Sequence, residues 1–180
     1  MPTLVLTNSM YLLDMQIREV AMRTFWYSLI AAVSVAGLLV TPTAANKSDN
    51  YAVVVTTQDF ESAVFGLENA IVNRGLVIDA TGHVGAMLKR TAKATGGASP
   101  YIGARYLGFC SAKLSADAMA ADPDNLAICP YVMFVYELKS EPGKARIGYR
   151  RPLASKKTSS KSAIANIEKL LTDILKEATE

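Results

Sequence analysis

The chain has one histidine, one tryptophan and two cysteines, and only 19% of its residues are charged. Each scarcity closes off a class of chemistry. With His83 alone and no Gly-x-Ser-x-Gly turn, no Ser-His-Asp arrangement can be argued. No Cys-x-x-Cys-His run is present to attach haem covalently. Gly96-Gly97 lacks the spacing and the lysine of a phosphate-binding loop. The net charge is +3, far from the dense basic footprint of a nucleic-acid binder. No internal repeat is visible, so solenoids and propellers are excluded.

What the chain has in quantity is apolar residues, 51% of the total, and they are unevenly placed. Phe25–Val40 is a 16-residue run without a charge, preceded by Arg18 and Arg23 and closed by Thr43-Ala44-Ala45. A basic start, an apolar run and small residues before a cut after Ala45 have the form of a secretory signal. Pro42 ends any helix just before that cut. A spanning helix needs roughly 20 apolar residues, so a retained anchor is the second reading. A core helix would show a polar stripe, and this run has none. The residues before Met22 are long for a signal's basic region, and a start at Met22 gives an ordinary one. The expectation is a periplasmic protein, with membrane contact only if the signal segment is retained. Residues 1–45 form the leader and 46–180 a single domain. The leader holds Asp14, Arg18, Glu19 and Arg23, two of each sign, so the domain keeps the net charge of +3.

Both cysteines, Cys110 and Cys129, fall in that domain. An even count in an oxidising compartment favours pairing, and the disulfide would stabilise the fold by about 3 kcal/mol on the chain-entropy model. A redox pair is the alternative, but neither cysteine opens an obvious helix and no Cys-x-x-Cys occurs.

Periodicity gives the elements. Tyr51–Thr56 and Leu76–Ala80 read as strands, and Gln58–Arg74 as a helix capped by Thr57 and stopped by Gly75. Ala86–Lys93 reads as a short helix and Ala94–Pro100 as a loop. Ala104–Ala112 reads as a strand, Ser115–Ala121 as a helix capped by Ser115, and Asp122–Asn125 as a turn. Tyr131–Leu138 is the strongest strand signal, joined through Glu141–Lys144 to a strand over Ala145–Tyr149. Ser155–Lys161 is polar, and Ser162–Ala178 is an amphipathic helix. This order predicts an α+β two-layer sandwich, its sheet largely antiparallel with helices packed on one face.

From about Tyr51 to Ala178 the sequence resembles the uncharacterised family numbered 302 among the domains of unknown function. The resemblance rests on the helix FESAVFGLENAIVNRGLVI, on His83 after the second strand, and on Phe109-Cys110-Ser111-Ala112. Pro130 opening the strongest strand and Tyr149-Arg150-Arg151-Pro152 complete it. It implies a compact α+β fold and a homodimeric assembly, and brings no activity. Family members have Phe-Gly-Asn-Pro where this chain has Phe-Cys-Ser-Ala, and an aliphatic residue at Cys129. The paired departure implies a bridge added in an exported branch.

The candidate site residues are His83, Arg105, Arg150 and Arg151, as a binding rather than a catalytic set. His83 could contact a ligand or sit at a strand end bonded to backbone. Arg90 belongs with the other arginines, which could grip an anionic group or simply keep a sheet edge solvated. Tyr106, Tyr131, Tyr136 and Tyr149 alternate with apolar residues and are expected on strand faces. A site of His83, Met87 and two thiolates would compete with the disulfide for sulfur, so neither metal nor cofactor is expected. The expected partner is a small anionic ligand or a periplasmic protein, with no nucleic acid. The alternative function is a thiol, metal or haem-linked redox protein using Cys110, Cys129 or His83.

Overall fold

The computed structural model describes residues 46–153 and 157–180. The apolar run and the cut after Ala45 lie outside the described residues. The elements are β1 (Asn46–Lys47), β2 (Tyr51–Val55), α1 (Phe60–Val72), β3 (Ile78–Gly82), α2 (Val84–Thr95) and β4 (Tyr101–Phe109). There follow α3 (Ala112–Ala121), a 3-10 helix (Pro123–Ile128), β5 (Tyr131–Leu138), β6 (Ala145–Arg150) and α4 (Thr158–Thr179). The strands form one sheet in the order β1-β2-β6-β5-β4-β3. Every adjacent pair is antiparallel. The expected α+β sandwich is the observed one.

Period-two alternation decides which face each strand residue takes. On β5, Tyr131, Met133, Val135 and Glu137 are buried, while Val132, Phe134, Tyr136 and Leu138 are half-buried. The first set faces α1 and α4, where Leu67, Ile71, Ile167, Leu171 and Ile174 close against Phe109, Met133 and Ile147. Fully burying each such side chain stabilises the fold by roughly 1.5–3 kcal/mol. Ala118 ties α3 into the same core.

Several boundaries move from their expected places, each for a local reason. Asp59, not Thr57, caps α1: its Oδ1 accepts the Ser62 N–H at 2.9 Å. Ser111, not Ser115, caps α3, accepting the Leu114 N–H at 3.4 Å. Both are hydroxyl or carboxylate residues three positions before their donor, the spacing a cap requires. The polar stretch reaching Lys161 is instead the first turn of α4 from Thr158 onward. It is held there because Ser159 Oγ donates to the Ala121 carbonyl at 3.2 Å and Asn125 Nδ2 donates to Ser160 Oγ at 3.0 Å. Helix α2 runs longer than expected, to Thr95, where Gly96 adopts the left-handed conformation at φ 69°. It has no buried residue and lies along the outer edge of β4, beside Gly103 and Ala104. The expected helical layer on one face is therefore made of α1, α3 and α4.

Candidate functional site

The second face of the sheet has no helix over it among the described residues. Its rows follow from the strand register. The central row is Val53, Gly148, Phe134, Tyr106 and Gly82. On one side runs Val55, Arg146, Tyr136 and Ala104. On the other, Tyr51 pairs with Arg150 and Val132 with Gly108.

Two glycines in the central row give this face its shape. A Cβ on Gly148 would meet Phe134 Cζ at 2.6 Å, and one on Gly82 would meet Tyr106 Cε1 at 1.8 Å. Both aromatic rings therefore lie down across the sheet over bare backbone instead of standing off it. Phe134 stacks with Tyr136, centroids 6.2 Å apart at 26°. Tyr101 meets Tyr136 edge-on at 5.6 Å. The result is an aromatic floor, with Tyr51 and Tyr106 still 40% and 39% exposed.

The concavity over this floor measures about 1360 Å³. Ligand pockets commonly span roughly 300–1,000 Å³, so this is a broad trough. Among the described residues its charged lining is Arg146, Arg150 and Arg151, and no carboxylate lines it. The Arg146 guanidinium lies 5.7 Å above the Tyr136 ring and pairs with Glu141 at the rim. Its Nη1 is buried and has no partner among the described residues. The Arg146 guanidinium holds the Glu141 carboxyl below its ordinary value. Arg150 is exposed and makes no ion pair among the described residues.

One end of the trough is walled by Cys129 and Pro130, whose joining peptide is cis. The sequence expects Cys110 and Cys129 to be joined; the structure holds them as two half-buried thiols, the Cys110 thiol donating to the Cys129 sulfur at 2.7 Å. Ser115 Oγ stands 3.3 Å from Cys129 Sγ and 2.7 Å from the Tyr131 hydroxyl. Burial, and then the neighbouring Cys129, push the Cys110 thiol up to about 11. Burial likewise raises Tyr131. One part of the sequence reading is corrected here: Cys110 does sit at a helix start, immediately before the α3 cap Ser111. Its raised value nonetheless keeps it protonated near neutrality, the opposite of an attacking thiolate.

Of the four predicted binding residues, Arg150 and Arg151 line the trough and His83 and Arg105 do not. His83 is exposed at the N-cap of α2, its side chain makes no capping bond, and it does not line the trough. Arg105 faces the helical layer, 5.6 Å over the Phe60 ring and 3.9 and 3.7 Å from Glu61 and Glu68. Arg151 pairs with Glu168 of α4, and its Nε donates to the Ser48 carbonyl at 2.9 Å. Of the four, Arg150 alone is an unpaired cation in the trough. Arg146 was not singled out in the sequence. Its signal was there, since Arg146, Gly148 and Arg150 share one face of a strand by period two.

Among the described residues no group of three or more histidine, cysteine or acidic side chains could hold a metal ion. No helix among them is long and apolar enough to cross a membrane.

The fold and this face together define a two-layer α+β sandwich with an antiparallel sheet open on one side. The chain belongs to the family described as Domain of unknown function DUF302, whose model matches residues 51–178. It is similar to the crystal structure of an uncharacterised conserved DUF302 protein from Bacillus stearothermophilus, at 17% identity and a TM-score of 0.59. That match covers 73% of this chain and 99% of the other. No curated protein matches the chain.

Proposed function

We propose that this is an exported accessory protein that binds a small ligand on the open face of its sheet. The observation that carries the reading is the trough itself: a concave aromatic surface facing away from a fully formed core, with cations as its only charged lining among the described residues. Binding sites are concave and mostly apolar, with a few placed polar groups, and this face has that composition. Export rests on the leader sequence, and an oxidising compartment would join Cys110 and Cys129. Their contact distance and the raised Cys110 thiol favour a structural bridge over a redox enzyme.

Native purification from the producing cell's periplasm, followed by mass spectrometry of co-purifying small molecules, tests the reading. A stoichiometric small molecule released on denaturation supports it. A stable protein complex that covers the sheet face, with no small molecule, would replace the ligand with a protein partner. A second copy of the chain on that face would be the simplest such partner.

A further inference from the structure

Resting on the open face as the binding site, we propose that its ligand is a planar aromatic anion, seated flat on Phe134 and Tyr106 with its acid group on Arg150. Three observations converge on this class. The floor is flat because Gly148 and Gly82 let the two rings lie down, which suits a flat ligand better than a branched one. Stacking on such rings contributes through area and dispersion without demanding one particular ring system. Among the described residues the charged lining is of one sign, so the trough attracts an anion and penalises a cation.

The three lining arginines differ in what they have left to give. Arg146 is already matched to Glu141 and Tyr136 with its Nη1 buried, and Arg151, which also lines the trough, is matched to Glu168 and the Ser48 carbonyl. Arg150 offers its whole fork, and a guanidinium fork fits a carboxylate or sulfonate through paired N–H donors. Arg146 and Arg150 stand four residues apart on β6, about 13 Å along the strand. Gly148 lies between them with Phe134 over it. A ligand anchored on Arg150 therefore extends across Phe134 towards the Arg146 end of the trough. That geometry selects an elongated flat molecule with its acid group at one end. A single-sign trough also disfavours a second copy as the occupant, because two identical faces would bring arginines towards arginines.

The test uses the protein as its producing cell processes it, with naphthalene sulfonate as the planar anion. Naphthylamine serves as the neutral planar control and dodecanesulfonate as the non-planar anion. Calorimetric titration should give saturable one-to-one binding of the planar sulfonate and at least about tenfold weaker binding of each control. Arg150→Gln should weaken the planar sulfonate about tenfold or more and leave the neutral amine unchanged. Arg150 is exposed, so that variant does not threaten the fold. Phe134→Leu should weaken both planar probes, with an unchanged circular dichroism spectrum as the folding control. Equal binding of sulfonate and amine, indifferent to Arg150→Gln but lost in Phe134→Leu, would overturn the anion and keep the face as a site. Dodecanesulfonate binding as tightly as the planar probe would overturn planarity. Sulfonate binding untouched by either variant, or a dimer that hides the face and binds neither probe, would overturn both the ligand class and the site.

Discussion

At the scale of single residues, the cysteines and the arginines show how much chemistry a sequence can state and how much it must leave to geometry. Cys110 and Cys129 are 19 positions apart and meet because the β4–β5 ladder ends at Phe109 and Tyr131, which pair directly. In protein taken from an oxidising compartment, the intact mass should be lower by the two thiol hydrogens. Cys110→Ser should cost about 3 kcal/mol of stability under oxidising conditions and little in excess reductant, as read from urea denaturation. Equal stability of wild type and variant without reductant would show that no bridge forms. The arginines were harder to read. Arg150 and Arg151 are neighbours in sequence and both line the trough, yet Arg150 is left without an ion pair among the described residues while Arg151 is tied to Glu168 of α4. Arg105 looked equally available but is held by Glu61 and Glu68 of α1, a contact that depends on how the helix packs on β4. Sidedness was legible once the register was known, but the register spans long separations that no local pattern carries.

At the scale of elements, the strands and the two long amphipathic helices were legible because burial imposes their periods. The strand Tyr131–Leu138 has the bounds its alternation predicts. The ends were less legible, because capping depends on which of several eligible side chains finds a free N–H. Asp59 won over Thr57, and the backbone N–H and hydroxyl of Ser62 lower its carboxyl below the ordinary 3.8. A depressed folded value means that this contribution is complete above the unfolded value and is lost as pH falls through the folded one. Glu141, lowered by Arg146, and Glu177, lowered by Asn73 and Arg74, act with the same sign from an ordinary 4.5. Stability should therefore fall as pH drops below about 4.5. In Asp59→Asn the fall should be shallower, measured as the urea midpoint at stepped pH. An unchanged slope would show that the α1 cap carries no titrating stability.

The central row of the sheet makes the second prediction at this scale. Gly148→Ala would place a methyl 2.4 Å from the Ala52 carbonyl and 2.6 Å from Phe134 Cζ. Overpacking of this kind typically costs 1–3 kcal/mol. The ring must also lift off the sheet, so planar-sulfonate binding should weaken by more than the fold is destabilised. Retained affinity would show that the flat floor does not define the site.

At the scale of the whole molecule, the α+β sandwich was readable from element order, since helices and strands with single apolar faces have few ways to cover one another. The open second face was not readable. The alternating residues on it are as apolar and aromatic as core residues, and only the helices' choice of side shows which set is left uncovered. If residues 1–45 are a secretory leader, mass spectrometry of the protein recovered from its producing cell should find a mature N-terminus at or near Asn46. A chain that retains Phe25–Val40 would instead be tethered, and its trough would work at a membrane surface.

The position of β6 between β2 and β5 has a consequence in time. Ala52 pairs with Tyr149, and Tyr51 with Arg150, nearly a hundred residues later. Such remote partners place the domain among slow folders, because loop closure must precede the contacts that repay it. A chain threaded end-first through a translocation pore would emerge with β2 waiting for a partner still behind it. It could not complete its sheet until almost all of it had crossed. If the chain is exported, late closure would suit passage through a narrow channel, and β1 and β2 would wait for β6 on the far side.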